Sequence, residues 1–264
     1  MSAAARPALP SPFVARALII ALFLVAWEAL PRSGVVQPLF LPPLTTTLEA
    51  LAVNLLDYGR HLLVTLKEVA FSMVFACGGG ILAGLALGSA AAARGVLLPV
   101  FSGLFAVPLV VLYPLFTAWF GLGSESKIVF ASVYGFLPTL LGAAAGAQTI
   151  DRQYIVAARS MGATRLQLLR WIYLPGTLPT VLAAFRLGGA LVIVGVVVAE
   201  MLTSTAGVGF LISKYRTMLD SPRVYAAVIL VLALAILFDG AVQMVERRAT
   251  GWRQTAGRPA GRNT

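Results

Sequence analysis

Charge is what this 264-residue sequence has least of. Lys, Arg, Asp and Glu make up 11% of it, against 59% hydrophobic residues. A soluble domain carries about 25% charged residues. So few charges cannot cover a surface in water, which excludes an ordinary soluble enzyme and points to a chain that crosses a bilayer several times. Cysteine and histidine are almost missing as well. The single cysteine, Cys77, excludes an intrachain disulfide, and with the single histidine, His61, it leaves no Cys/His metal cluster. The only lysines are Lys67, Lys127 and Lys214, and none follows a glycine, so a phosphate loop of the GxxxxGK[ST] kind is excluded. There is no HExxH, no Ser/His/Asp set and no carboxylate pair at catalytic spacing. The chain reads as a non-enzyme with no metal or cofactor of its own. Any work it does is powered by a partner or an ion gradient.

What is present is apolar sequence in long runs, with a mean hydropathy of +0.90. At about 20 apolar residues per span, about six spans are expected, at 13–31, 69–92, 98–120, 127–147, 177–202 and 223–245. The fold class is all-α and polytopic, one membrane domain over 1–264 with a five-helix core at 60–245. The N-terminal run ends in Trp27-Glu28-Ala29-Leu30-Pro31 rather than a small-residue cleavage site, so it reads as an uncleaved first span. The stretch 32–67 is expected to be polar. In it Pro42–Pro43 stops any helix, and Thr45 to Thr47 cap a short one with Glu49 in its first turn. Gly80, Gly84 and Gly88 put small residues on one face of the second span, for generic packing or for a dimer seam. Pro108 and Pro114 are expected to kink the third span.

The net charge of +10 follows the membrane rather than nucleic acid. With the N-terminus inside, twelve Lys and Arg residues fall in inner segments and seven in outer ones. The bias predicts both termini in the cytoplasm, with a basic tail frayed at its end. It also places there the most polar interruption of the apolar pattern, residues 154–175, YIVAARSMGATRLQLLRWIYLP. A short helix is expected over Ala157–Ala158, ended by Gly162 in a left-handed cap. A second helix follows, with Pro175 breaking the chain back toward the membrane.

The spacing within this stretch resembles the "EAA" loop of type I ABC importer permeases: Glu-Ala-Ala, three residues, Gly, nine residues, Ile, one residue, Leu-Pro. Here those positions are Val156-Ala157-Ala158, then Gly162, then Ile172, Leu174 and Pro175. Val156 stands where the family has its glutamate. FAVPLVVLYPLFTAWFGLGSESKI, Ala199-Glu200-Met201 and Gly207-Val208-Gly209-Phe210-Leu211-Ile212 resemble the nitrate/sulfonate/taurine branch of that family. The resemblance covers about residues 39–252. It implies a bacterial inner-membrane permease that works as a homodimer. Two ATPase subunits, holding ATP and Mg, dock on a loop surface of Val156, Ala157, Ala158, Arg159, Gly162, Ala163, Ile172, Leu174 and Pro175. A periplasmic binding protein delivers a small solute such as a sulfonate, taurine or nitrate, while relatives carry pyrimidine precursors or aromatic acids. The rival reading is an ATP-independent carrier or channel. That reading leaves the loop unexplained.

Charges in the spans need partners or water, at about 2.5–3.5 kcal/mol each. At about 1.5 Å per residue, Arg186 and Asp239 lie on the order of 14 and 9 Å from the inner ends of their helices, close enough to pair. The pair is a scaffold bridge or a gating element. Glu200, with Gly207 and Gly209, is expected near the outer surface at a gate or a binding-protein contact. Glu28 and His61 read as interfacial or surface residues. Phe116, Trp119 and Phe120 read as lipid or core contacts.

Overall fold

The computed structural model describes residues 11–256. The expectations for Arg6, Arg258, Arg262 and the extreme C-terminal tail lie outside the described residues. In chain order the helices are α1 (Pro12–Arg32), α2 (Leu44–Val53), α3 (Leu55–Met73), α4 (Gly79–Ser89), α5 (Ala91–Phe105), α6 (Tyr113–Phe120), α7 (Ser124–Gln148), α8 (Arg152–Ser160), α9 (Arg165–Leu168), α10 (Leu174–Gly176), α11 (Leu178–Leu202), α12 (Val208–Thr217) and α13 (Ser221–Ala256). No strand occurs among the described residues. Among the described residues, five helical runs are long and apolar enough to cross a membrane, and six if the bent α5–α6 pair is counted as one.

The second span begins much earlier than 69. One π-helical turn, Val74–Gly78, joins α3 to α4 in a single run, Leu55–Ser89. At about 1.5 Å per residue it exceeds 50 Å, longer than the hydrocarbon core. The stretch 55–67 is therefore helix, not a polar connection. Polar residues of α3 share a face: Tyr58 and Thr65 in this stretch, and Glu68 and Ser72 after it, are all buried.

At the centre α7 and α11 run antiparallel, and α4 lies along α7. Gly80, Gly84 and Gly88 make that second contact. A Cβ on Gly84 would overlap the Leu140 carbonyl oxygen and the Ala143 methyl, and one on Gly88 would meet Ala144 and Ala147. The doubled GxxxG spacing is thus spent inside the chain on α4–α7 packing, not on a dimer seam. The third span is broken rather than kinked. α5 and the segment Leu109–Phe120 meet at 79°. Pro108 sits in the break, while Pro114 falls in the first turn of α6, where a missing N–H costs no helical bond.

The short helix at 44–53 is capped differently from the sequence expectation. Its N-cap is Pro43, Thr46 and Thr47 donate back to the Pro43 carbonyl, and Glu49 is past the first turn. Glu28 supplies the missing acceptor. Its carboxylate takes the Thr45 N–H at 3.0 Å and the Thr45 hydroxyl at 2.9 Å, and pairs with Arg32 at 2.6 Å. Glu28 is thus a cap borrowed from α1, not a loose interfacial charge. Trp27 adds a bond from Nε1 to the Pro42 carbonyl and an edge contact with Tyr225.

Candidate functional site

α8 and α9 cover the end of the bundle where α7 finishes and α11 starts. Asp151 caps α8 by accepting the Gln153 N–H at 3.0 Å. The helix ends in a Schellman turn: Ala163 N–H reaches the Ala158 carbonyl, Gly162 N–H reaches the Arg159 carbonyl, and Gly162 has φ +81°. Nothing lies within 4 Å of a Cβ placed on Gly162, so the glycine answers to backbone conformation alone. Thr164 and Gln167 then form a reciprocal capping box at the start of α9.

From α9 the helical path hardly stops. A π-helical turn, Leu169–Tyr173, leads into α10, and the Thr177 hydroxyl and N–H both bond to the Tyr173 carbonyl before α11 begins. Pro175 does not break the chain. It lies in the first turn of α10, following the wide turn. α9 is joined to α11 through helical turns rather than through a slack loop.

The two alanines have different jobs. Ala158 is 8% exposed and packs with Leu85, Ala147, Leu168 and Tyr173, whereas Ala157 is exposed. Ala157, Ala158, Ile172 and Pro175 meet in a cleft of about 670 Å³, together with Tyr154, Met161 and Trp171. Gly162 and Ala163 border the adjoining cavity of about 380 Å³. Val156 and Leu174 are exposed beside these clefts, outside their linings. Four arginines, Arg152, Arg159, Arg165 and Arg170, stand on this surface, and Arg170 lies over the Trp171 ring at 5.5 Å. The only carboxylate within residues 151–175 is Asp151, already used as a cap. The arrangement offers an open apolar cleft in a cationic rim and no group that could cut or transfer a bond.

The far end of the bundle corrects several expectations. Glu200 is 1% exposed. Its carboxylate accepts the Thr65 hydroxyl at 2.8 Å and the Gly209 N–H at 2.7 Å. Gly207, at φ +107°, and Gly209 are buried against it, and a Cβ on either would overlap Glu200. None of the three can touch an external partner directly. They fasten the 203–207 loop to α3. His61 is part of the same fastening, since its Nδ1 accepts the Gly207 N–H at 3.0 Å. Beside them Lys127 pairs with Glu68 at 2.7 Å and donates to the Ser204 hydroxyl at 2.9 Å. Sequence reasoning missed Glu68 because the residue fell at the junction between the stretch 32–67, expected to be polar, and the span expected from 69. The signal was the recurrence of polar residues at 58, 61, 65, 68 and 72, three or four apart on one helix face. Phe116 packs on Phe130 at 5.6 Å, while Trp119 is 70% exposed.

Arg186 and Asp239 come together across α11 and α13, Nε to Oδ1 at 2.5 Å.

Comparison with known proteins agrees with this architecture. The chain is 31% identical over 240 residues to the taurine transport system permease protein of Escherichia coli (strain K12), covering 88% of this chain and 87% of that one. It is 29% identical over 241 residues to a putative aliphatic sulfonates transport permease protein of Bacillus subtilis (strain 168), covering 90% and 87%. In three dimensions it matches a chain of the MetNI methionine ABC transporter, solved in inward-facing conformations, with a TM-score of 0.67 at 19% identity over 75% of this chain and 98% of that one. Residues 78–251 match the family model described as binding-protein-dependent transport system inner membrane component. The chain belongs to that family: it is an ABC importer permease of the sulfonate/taurine branch, a multi-pass inner-membrane transport subunit and not an enzyme.

Proposed function

We propose that two copies of this chain form the translocation pathway of an importer driven by two partner ATPase subunits, which hold the ATP and Mg. The single observation that carries this is the α8–α9 surface: an open apolar cleft with a cationic rim, joined to α11 by near-continuous helix. In this reading the ATPases seat on Val156, Ala157, Arg159, Gly162 and their neighbours. Closure of the ATPase pair moves α9, and α11 follows. The termini and the α8–α9 surface are cytoplasmic, and a periplasmic binding protein delivers cargo to the opposite face.

The cargo is a small sulfonate-type anion, with taurine the first candidate because the relative from Escherichia coli is a taurine permease at 31% identity. A pyrimidine precursor is the second reading, supported by 27% identity over 238 residues to a formylaminopyrimidine transport permease protein of Halalkalibacterium halodurans. Uptake by proteoliposomes tests both, with the chain, its ATPase, the binding protein and labelled taurine or formylaminopyrimidine. Taurine accumulation that requires ATP inside supports the first reading, and formylaminopyrimidine accumulation the second. Accumulation of either without the ATPase overturns the ATP-driven assignment.

A further inference from the structure

The Arg186–Asp239 pair is half open, with 39% and 43% of the two side chains accessible. Its depth makes that informative. Arg186 is eight residues into α11, on the order of 12 Å from the helix end. Both partners sit in helices of membrane length. Lipid is a poor neighbour for an open guanidinium–carboxylate pair at this depth, because a charge there needs protein partners or water. A dry protein seam is little better. A guanidinium carries five N–H donors; Asp239 takes the one on Nε, and the charge of Glu246, two turns further along α13, also acts on it. Water, or a solute travelling in water, is the neighbour that satisfies the rest.

The surroundings fit. Next to the pair, α11 and α13 leave a groove of about 330 Å³ with Asp239 in its wall. Ala190 and Val194, one and two turns beyond Arg186, are exposed on the α11 side, and Ala235, one turn from Asp239, lines the α13 side. The walls are otherwise apolar: Asp239 is the one charged residue among them, and Arg186 stands beside the groove through its bond to Asp239.

We infer that this face lines a water-filled path and that the pair is its charge filter. Arg186 takes the anionic group of a small dipolar solute and Asp239 its cationic group. This rests on the proposed permease function and narrows its cargo to a solute that carries both signs, such as an amino sulfonate.

The test uses the assembled transporter in membrane vesicles, with Cys77→Ala removing the one native thiol. Ala190→Cys and Ala235→Cys are then labelled by two membrane-impermeant methanethiosulfonates, one bearing a sulfonate and one a trimethylammonium. Both positions should react. The sulfonate reagent should favour Ala190→Cys over Ala235→Cys several-fold, and the ammonium reagent should show the reverse. This comparison leaves the charge pair intact, so it does not depend on a charge-removed variant folding. Where such variants insert, Arg186→Gln should slow the sulfonate reagent at Ala190→Cys about 3- to 10-fold relative to the ammonium reagent, and Asp239→Asn should act in the opposite sense. No labelling at either position means that lipid or a second copy covers the face, and overturns the path. Labelling with no charge preference at either position makes the pair a scaffold bridge and overturns the filter. Both results are independent of whether transport needs ATP, so a failure here is distinguishable from a failure of the permease reading.

Discussion

Lys127 holds Glu68 at 2.7 Å inside the far end of the bundle, with the two side chains 4% and 1% accessible. The pair ties the first turn of α7 to α3, and through Ser204 it also holds the loop that follows α11. A buried ion pair is costly to break from one side, at about 3–5 kcal/mol, because the remaining charge stays buried alone. Replacing both partners with apolar residues of similar size costs far less. Lys127→Met and Glu68→Leu should each lower the thermal midpoint of the detergent-solubilised protein strongly. The double variant should recover most of the loss. Additive losses would show that the two residues do not act as a pair.

Two glycines with different physical reasons should respond differently to the same kind of change. Gly84 is limited by space, since its missing Cβ would overlap Leu140 and Ala143 on α7. Gly84→Leu should cost about 3 kcal/mol by overpacking and reduce the yield of folded protein. Gly162 is limited by its φ of +81° and has open space around it. Gly162→Ala should cost only about 1–2 kcal/mol, confined to the end of α8. Thermal unfolding should separate the two, with little change for Gly162→Ala and a large one for Gly84→Leu.

Leu219 is the one non-glycine residue with positive φ among the described residues, at +57°. It closes α12, where Asp220 N–H returns to the Tyr215 carbonyl, and its side chain is 70% exposed. A leucine there carries the left-handed penalty with little packing in return. Leu219→Gly should therefore stabilise the protein by about 0.5–1 kcal/mol, the relieved strain less the glycine's extra unfolded-state entropy. A lower unfolding midpoint would mean that the Leu219 side chain contributes packing that outweighs the strain.

The helical fold and the α8–α9 turn were legible in the sequence because both rest on local rules. Apolar runs set the spans, and the alanine pair, Gly162 and the spacing to Pro175 set the turn. What escaped was decided by distant partners. Glu28 reads as a lone interfacial charge until Thr45 is folded against it. Glu200 reads as an outward-facing acid because helix length alone places it near the surface, but Thr65 and the Gly209 N–H close over it from two other elements. The early start of α3 was hidden for the same reason: Glu68 is tolerable within a membrane-length helix only because Lys127 arrives from α7. Pro175 reads as a break, and the preceding π-helical turn is not a local sequence feature that would have shown otherwise.

Seating of a partner ATPase on α8 and α9 can be read out at Ala157. The residue is exposed in the cleft wall, so a change there does not disturb the buried packing under Ala158. The measurement is recovery of the ATPase subunit with affinity-purified permease, wild type against Ala157→Asp, with the thermal midpoint of each permease recorded alongside. One ATPase per permease is expected for the wild type. For Ala157→Asp the expected result is a loss of ATPase of about tenfold or more at an unchanged midpoint. Equal recovery of the ATPase with both proteins would contradict docking on this surface.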